Sequence, residues 1–156
     1  MNNPFPLRQS TAFAAALVVA LTGGLAATSA VAGAQRPDRE GASFGPCAGP
    51  VRVTCVVDGD TFWYRGTKIR IADINAPELS SPSCAREALL AAAATRRLTA
   101  LLNAGPFTLA TQGRETDRYG RALRVVMRGG ESLGTVLERE GLAEHWDGRR
   151  GDWCTV

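Results

Sequence analysis

The chain has 156 residues, 45% of them apolar and 6% aromatic, with a formal net charge of +3. That length excludes repeat arrays, multidomain enzymes and polytopic membrane proteins, and the apolar share excludes a disordered chain. The charge is far below that of a histone-like binder, although 17 of the 18 basic residues are Arg and only Lys68 is Lys. Arginine grips phosphate with a planar fork, but a GC-rich codon bias accounts for most of these residues equally well.

The chain opens with one charge, Arg8, followed by 24 uncharged residues from Thr11 to Ala34. With the small residues Ala32-Gly33-Ala34, residues 1–34 read as a secretory signal cleaved after Ala34. The alternative is an uncleaved anchor, because a run of that length could span a bilayer. Either way the domain is expected outside the cytoplasm: periplasmic or secreted if cleaved, membrane-anchored if not. Cleavage leaves no stable membrane partner, and a monomer is expected. Residues 35–50 are rich in Gly, Pro, Arg and Asp and read as a flexible lead. All four cysteines, Cys47, Cys55, Cys84 and Cys154, follow the cleavage site, and an even count in an exported chain implies two disulfides. Three pairings are possible. A local loop Cys47–Cys55, with Cys84–Cys154 tying the C-terminal tail to the body, is favoured. The spacing does not suit a zinc site.

Alternation of Val51, Val53, Cys55 and Val57 with polar neighbours predicts a first strand. Asp58-Gly59-Asp60 signals a turn, Thr61–Tyr64 a second strand, Arg65-Gly66 another turn, and Lys68–Ile74 a third strand that Pro77 closes. A helix is predicted over Ala85–Leu102, capped by Ser83, with Leu90, Ala94, Leu98, Leu101 and Leu102 on one face. Phe107–Thr111 is a fourth strand, Gly113–Gly120 a polar loop and Ala122–Arg128 a fifth strand. Ser132 caps a second helix with Leu133, Val136 and Leu137 inward, ended by Gly141. Five short strands with a helix between the third and fourth match a Greek-key barrel of the OB type.

Three polar segments fall where turns or strand ends are expected. Asp58-Gly59-Asp60-Thr61 offers two carboxylates suited to Ca²⁺, although an Asp-Gly turn alone reads more simply as a turn. Arg70 to Glu78 reads R-I-A-D-I-N-A-P-E; a carboxylate here could deprotonate a water, while Asp73 reads as decoration of a solvated strand face. Thr116–Arg121 reads T-D-R-Y-G-R and could clamp a phosphate through Arg121.

Taken in order and with S-L…L-x-R-E-G-L-A over Ser132–Ala143, these motifs resemble the staphylococcal-nuclease (thermonuclease) family, across about Val51 to Trp146. The resemblance implies an α+β, mainly β fold: a five-stranded OB barrel with about three helices. The third helix would fall beyond Gly141, where the sequence carries no clear helical signal. It implies a nuclease domain at 51–147, followed by a tail at 148–156 tethered through Cys154. The implied activity is Ca²⁺-dependent hydrolysis of phosphodiester bonds in DNA and RNA, leaving 3′-phosphate ends.

By position, Asp60 is similar to a Ca²⁺ ligand, Asn75 falls where the family usually has a second ligand aspartate, and Ala76 falls where a backbone carbonyl ligates. Glu78 resembles the residue that orients or activates the attacking water. Arg70 and Arg121 resemble the phosphate-binding arginines, Tyr119 a nucleotide contact, and Asp58 a carboxylate behind the ligands. Asn75 is a departure: its amide oxygen can ligate, but a negative charge is lost, so Ca²⁺ should bind weakly. Where the family places tyrosines that pack on the base, this chain has Glu144-His145-Trp146-Asp147; Trp146 could supply a stacking face, and His145 reads as a surface residue. Two other readings compete: a catalytically impaired OB module that still binds strands, which Asn75 favours, and a disulfide-bonded envelope protein with an interaction role. Arg70, Glu78 and Arg121 together favour the enzyme.

Overall fold

A computed structural model describes residues 37–155. The expected signal segment at 1–34 lies outside the described residues. Among the described residues no helix is long and apolar enough to cross a membrane.

β1 (Cys55–Val56), β2 (Thr61–Tyr64) and β3 (Thr67–Ile71) form an antiparallel meander. Arg65 and Gly66 turn between β2 and β3 with φ of 50° and 80°, and two consecutive positive values suit a two-residue hairpin. β4 (Ile74–Asn75) leaves this sheet. α1 (Ala85–Asn103) follows, then β5 (Thr108–Ala110), β6 (Ala122–Arg128), β7 (Glu131–Ser132), α2 (Leu133–Arg139) and β8 (Glu144–His145). The large sheet is mixed, in the order β1-β2-β3-β6-β5, with β7 also on β6. β3 and β6 run parallel, with Ile69 opposite Ala122 and Arg70 opposite Leu123. β1 and β5 are the ends of that order, and no ladder joins them among the described residues. β4 and β8 make a separate two-stranded ladder.

The core packs the inner face of the sheet against both helices. Phe62, Ile69, Ile71, Ile74, Phe107 and Val126 meet Leu98, Leu102 and Leu137, all fully buried. α1 buries Glu87, Ala91, Ala94, Leu98, Leu101 and Leu102, spaced by three and four. Leu90 is only half-buried; Ala91 takes the inward place instead.

Several sequence expectations are corrected. Val51 and Val53 are exposed and lie outside β1, since the alternation there has no partner strand. The third strand breaks after Ile71 because Ile74 and Asn75 turn away to pair with His145 and Glu144. The cap of α1 is Cys84, not Ser83. No third helix follows Gly141 among the described residues; β8 stands there. The lead is tied down from Pro37 onward. Phe44 enters the core, its backbone exchanges hydrogen bonds with the Asn103 side chain at 2.8 and 2.9 Å, and Glu40 bridges Phe107. Disulfides join Cys47 to Cys55 and Cys84 to Cys154.

Candidate active site

The loop between β1 and β2 lies against α1 and the β4 corner. Gly59 permits this by size, not by a left-handed turn: a Cβ there would stand 2.6 Å from Ala94 Cβ and 2.7 Å from Ala76 Cβ. Asp58 and Asp60, which flank it, are thereby driven inward. Asp58 Oδ1 accepts the Asp60 N–H at 3.1 Å. Burial, and then the Asp60 carboxylate with Glu78 behind it, pushes the Asp58 carboxyl up to about 7.

Asp60 is buried, and both of its oxygens have partners. Its Oδ1 accepts the Thr61 hydroxyl at 2.9 Å, and its Oδ2 accepts the Ala76 N–H at 2.9 Å and faces Arg70 Nη2 at 3.2 Å. Arg70 closes the far side of this pair. Its Nη1 donates to the carbonyls of Ile71 and Ile74, the latter at 2.7 Å, and its guanidinium lies 5.5 Å from the centroid of Trp146. A charge buried this way is supported on all sides, so removing either partner would strand the other. Trp146 is held by its own N–H, which donates to the Asp73 carbonyl at 2.9 Å.

Asn75 is buried on β4, and its Nδ2 donates to Glu144 Oε1 at 2.9 Å across the β4–β8 ladder. Pro77 then turns the chain to Glu78. The Glu78 N–H donates to Glu87 at 3.2 Å, and the Glu78 carboxylate forms an ion pair with Arg150, Oε1 to Nη2 2.7 Å. Glu87, on the first turn of α1, also accepts the Ser83 N–H at 2.5 Å. Those bonds, the Ser83 one foremost, outweigh its burial and hold its carboxyl below the usual glutamate range.

Arg121 and Tyr119 belong to the loop before β6. Asp117 organises it, accepting the Tyr119 and Arg121 N–H groups at 2.9 and 3.0 Å and Arg121 Nε at 2.6 Å. Burial alone would raise the Asp117 carboxyl, but these bonds prevail and lower it. The Tyr119 ring is exposed, with the Arg118 and Arg121 guanidinium groups 4.8 and 5.5 Å from its centroid. Arg121 immediately precedes Ala122 and Leu123, the register partners of Ile69 and Arg70, so the loop that carries it leads into the strand paired with that of Arg70.

Asp58, Asp60, Arg70, Ala76 and Trp146 therefore form one contact network, and Asn75 and Glu78 continue it toward the tail. No hydrogen bond or ion pair joins Arg121 or Tyr119 to that network among the described residues. His145 is exposed, 3.3 Å from Glu138. Asp73 is not on a solvated face: it accepts the Ser132 hydroxyl at 2.5 Å at the start of α2.

In the sequence Glu87 reads only as an acidic residue suited to the first turn of α1, the tail Arg149–Cys154 as able to touch phosphates or merely tethered by Cys154, and Glu144 carries no assigned role. Glu87 had a signal, since an acidic residue three places after a cap commonly reaches back to free N–H groups. Nothing in the sequence pairs Glu144 with Asn75 or Arg150 with Glu78; only folding brings them together.

Three carboxyl groups in one region with raised proton affinity at Asp58 call for added positive charge. The Asp60 carboxylate, the Asn75 amide oxygen and the Ala76 carbonyl are hard oxygen donors of the kind Ca²⁺ takes. No cluster of three or more His, Cys, Asp or Glu suited to a metal occurs among the described residues. A cation here would thus depend on the amide and backbone oxygens beside Asp60.

The model of one protein family, described as Staphylococcal nuclease homologue, matches residues 68–152, just over half of the chain. No curated protein matches the sequence.

Proposed function

The chain belongs to the family of staphylococcal nuclease homologues, and from that premise we propose that it is an exported, Ca²⁺-dependent nuclease hydrolysing phosphodiester bonds of DNA or RNA. The observation that carries this reading is the set of contacts joining Asp60 to Arg70 and Ala76, with Glu78 two residues further along the chain and held by Glu87. The parallel β3–β6 pairing inside an otherwise antiparallel sheet supports an OB-type barrel as its frame. Two disulfides are compatible with an oxidising compartment and support export of residues 35–156, with a nuclease domain at 51–147.

Glu78 is the general base. Its backbone is fixed by Glu87 and its carboxylate stands half-exposed, open to a water. Arg70 and Arg121 supply fixed positive charge to a phosphate whose transition state gathers negative charge. Tyr119 and Trp146 offer faces to a base or sugar. Asp60, Asn75 and the Ala76 carbonyl would hold Ca²⁺, which when bound adds charge that polarises the phosphate. With its nitrogen donated to Glu144, Asn75 has only its oxygen left to offer a cation. Loss of one carboxylate at that place gives weak binding, met by millimolar Ca²⁺.

The test is cleavage of denatured DNA by the oxidised protein, with Ca²⁺ or with chelator. Activity should disappear in chelator and fall on the order of 10²–10⁴ in Glu78→Gln. Submicromolar Ca²⁺ affinity by calorimetry would contradict the ligand assignment. Asn75 favours one second reading, an impaired module that binds single strands without cutting; binding with no cleavage at any Ca²⁺ concentration would establish it.

A further inference from the structure

We propose that Arg150, delivered by the disulfide-tethered C-terminal tail, is a third substrate-phosphate contact of this site; the inference rests on the nuclease reading above. Arg150 lies outside every recognised motif, in the run Asp147–Asp152 after β8. Five contacts hold that run and the three residues after it beside the site. Cys154 is bonded to Cys84, the cap of α1. Arg86 Nη1 donates to the carbonyls of Trp153 and Thr155 at 2.9 and 2.8 Å. The Gly151 N–H donates at 2.5 Å to Glu144 Oε1, the same oxygen that accepts Asn75. Arg150 itself reaches Glu78 at 2.7 Å. A Cβ at Gly151 would require the Glu144 carboxylate to move.

The arginines of the site differ in freedom. Arg70 is 11% exposed and committed to Asp60 and two carbonyls; Arg121 is 24% exposed with its Nε on Asp117. Arg150 is 67% exposed and has one ion-pair partner among the described residues, a Glu78 carboxylate itself 34% exposed. An ion pair so open to water holds its partners by no more than about 1 kcal/mol. A phosphodiester offers the guanidinium fork a matched anion at the same place. Substrate therefore draws Arg150 from carboxylate to phosphate, and the transfer leaves Glu78 free at the moment its basicity is needed. The tail keeps the guanidinium within reach in both states.

Binding of a fluorescein-labelled oligothymidylate, measured by anisotropy in chelator across a salt series, tests this without requiring cleavage. Arg150→Ala should weaken binding about tenfold, the loss of one charge-assisted contact, and reduce the salt slope by about 0.7, the single-strand value for one phosphate. Arg150→Lys should restore the slope but not the full affinity. Arg139→Ala, which removes the same charge from an arginine paired with Glu131 on α2, should leave the slope unchanged. Cys84→Ser with Cys154→Ser should reproduce the Arg150→Ala slope and add nothing to it; if that pair fails to fold, Arg86→Ala with the disulfide intact is read in its place. An unchanged slope in Arg150→Ala, or faster cleavage than wild type, overturns the proposal and makes Arg150 an inhibitory latch or a bystander. Wild-type protein that neither binds nor cuts strands defeats the nuclease reading itself, a distinct result.

Discussion

The Glu87 carboxylate satisfies two N–H groups, of Ser83 and Glu78, in a loop that no helix or strand supports. Glutamine would keep one acceptor oxygen and present an NH₂ to the other donor. Glu87→Gln should cost about 1–3 kcal/mol, the usual penalty for a stranded buried donor, read as a shifted urea midpoint. The pH dependence follows from the lowered carboxyl. Its stabilisation is complete above the unfolded value of about 4.3 and is lost as pH falls through the lower folded value. The gap between wild type and Glu87→Gln should thus be constant at neutral pH and narrow toward pH 3. A second prediction concerns Asp117, which holds Arg121 and the Tyr119 backbone but faces no substrate on this reading. Asp117→Asn should lower kcat/KM roughly tenfold to a hundredfold by releasing Arg121 from its bearing, with little change in the thermal midpoint.

At the scale of elements, the site depends on how closely α1 approaches the β1–β2 loop. Three small residues meet there: Gly59, Ala76 and Ala94. Gly59→Ala should destabilise by about 1–3 kcal/mol through overpacking, measured by denaturant unfolding. Ala94→Gly in the same molecule should recover part of that loss by reopening the space, even though glycine weakens the helix. The strands show why local reading reaches only so far. Thr61–Tyr64 and Ala122–Arg128 were legible because their β-rich runs also have partners on both sides. Val51 and Val53 carry the same alternation and form no strand, because period two states a preference that only a neighbouring strand can satisfy. The segment 144–145 gave no signal at all; it is extended because β4 is there to receive it.

At the scale of the molecule, the two disulfides do unequal work. Cys47–Cys55 spans 8 residues and Cys84–Cys154 spans 70. In the chain-entropy account, loops of those sizes stabilise by about 2.5 and about 4 kcal/mol respectively. Paired Cys→Ser variants should therefore show the larger loss of urea stability for Cys84–Cys154, despite its place at the chain end. That bond also closes the tail over the Glu78 corner, so its loss should be felt in strand binding, whereas loss of Cys47–Cys55 should be felt in stability alone.

The sequence by itself determined the family, both helices, the central strands and the identity of the motif residues. These rest on local chemistry: periodic burial, turn residues and short runs of functional side chains that a linear reading can match. It also identified Asn75 as a departure, since that is a property of one position. Only the tertiary structure decided what surrounds those residues. It turned Asn75 toward Glu144, put Glu87 beneath the Glu78 backbone, buried Arg70 against Asp60 and Trp146, and laid Arg150 on Glu78. The last of these joins residues 72 positions apart. Such contacts depend on the return of distant chain to one place, and neither propensity nor spacing encodes which distant residue will arrive.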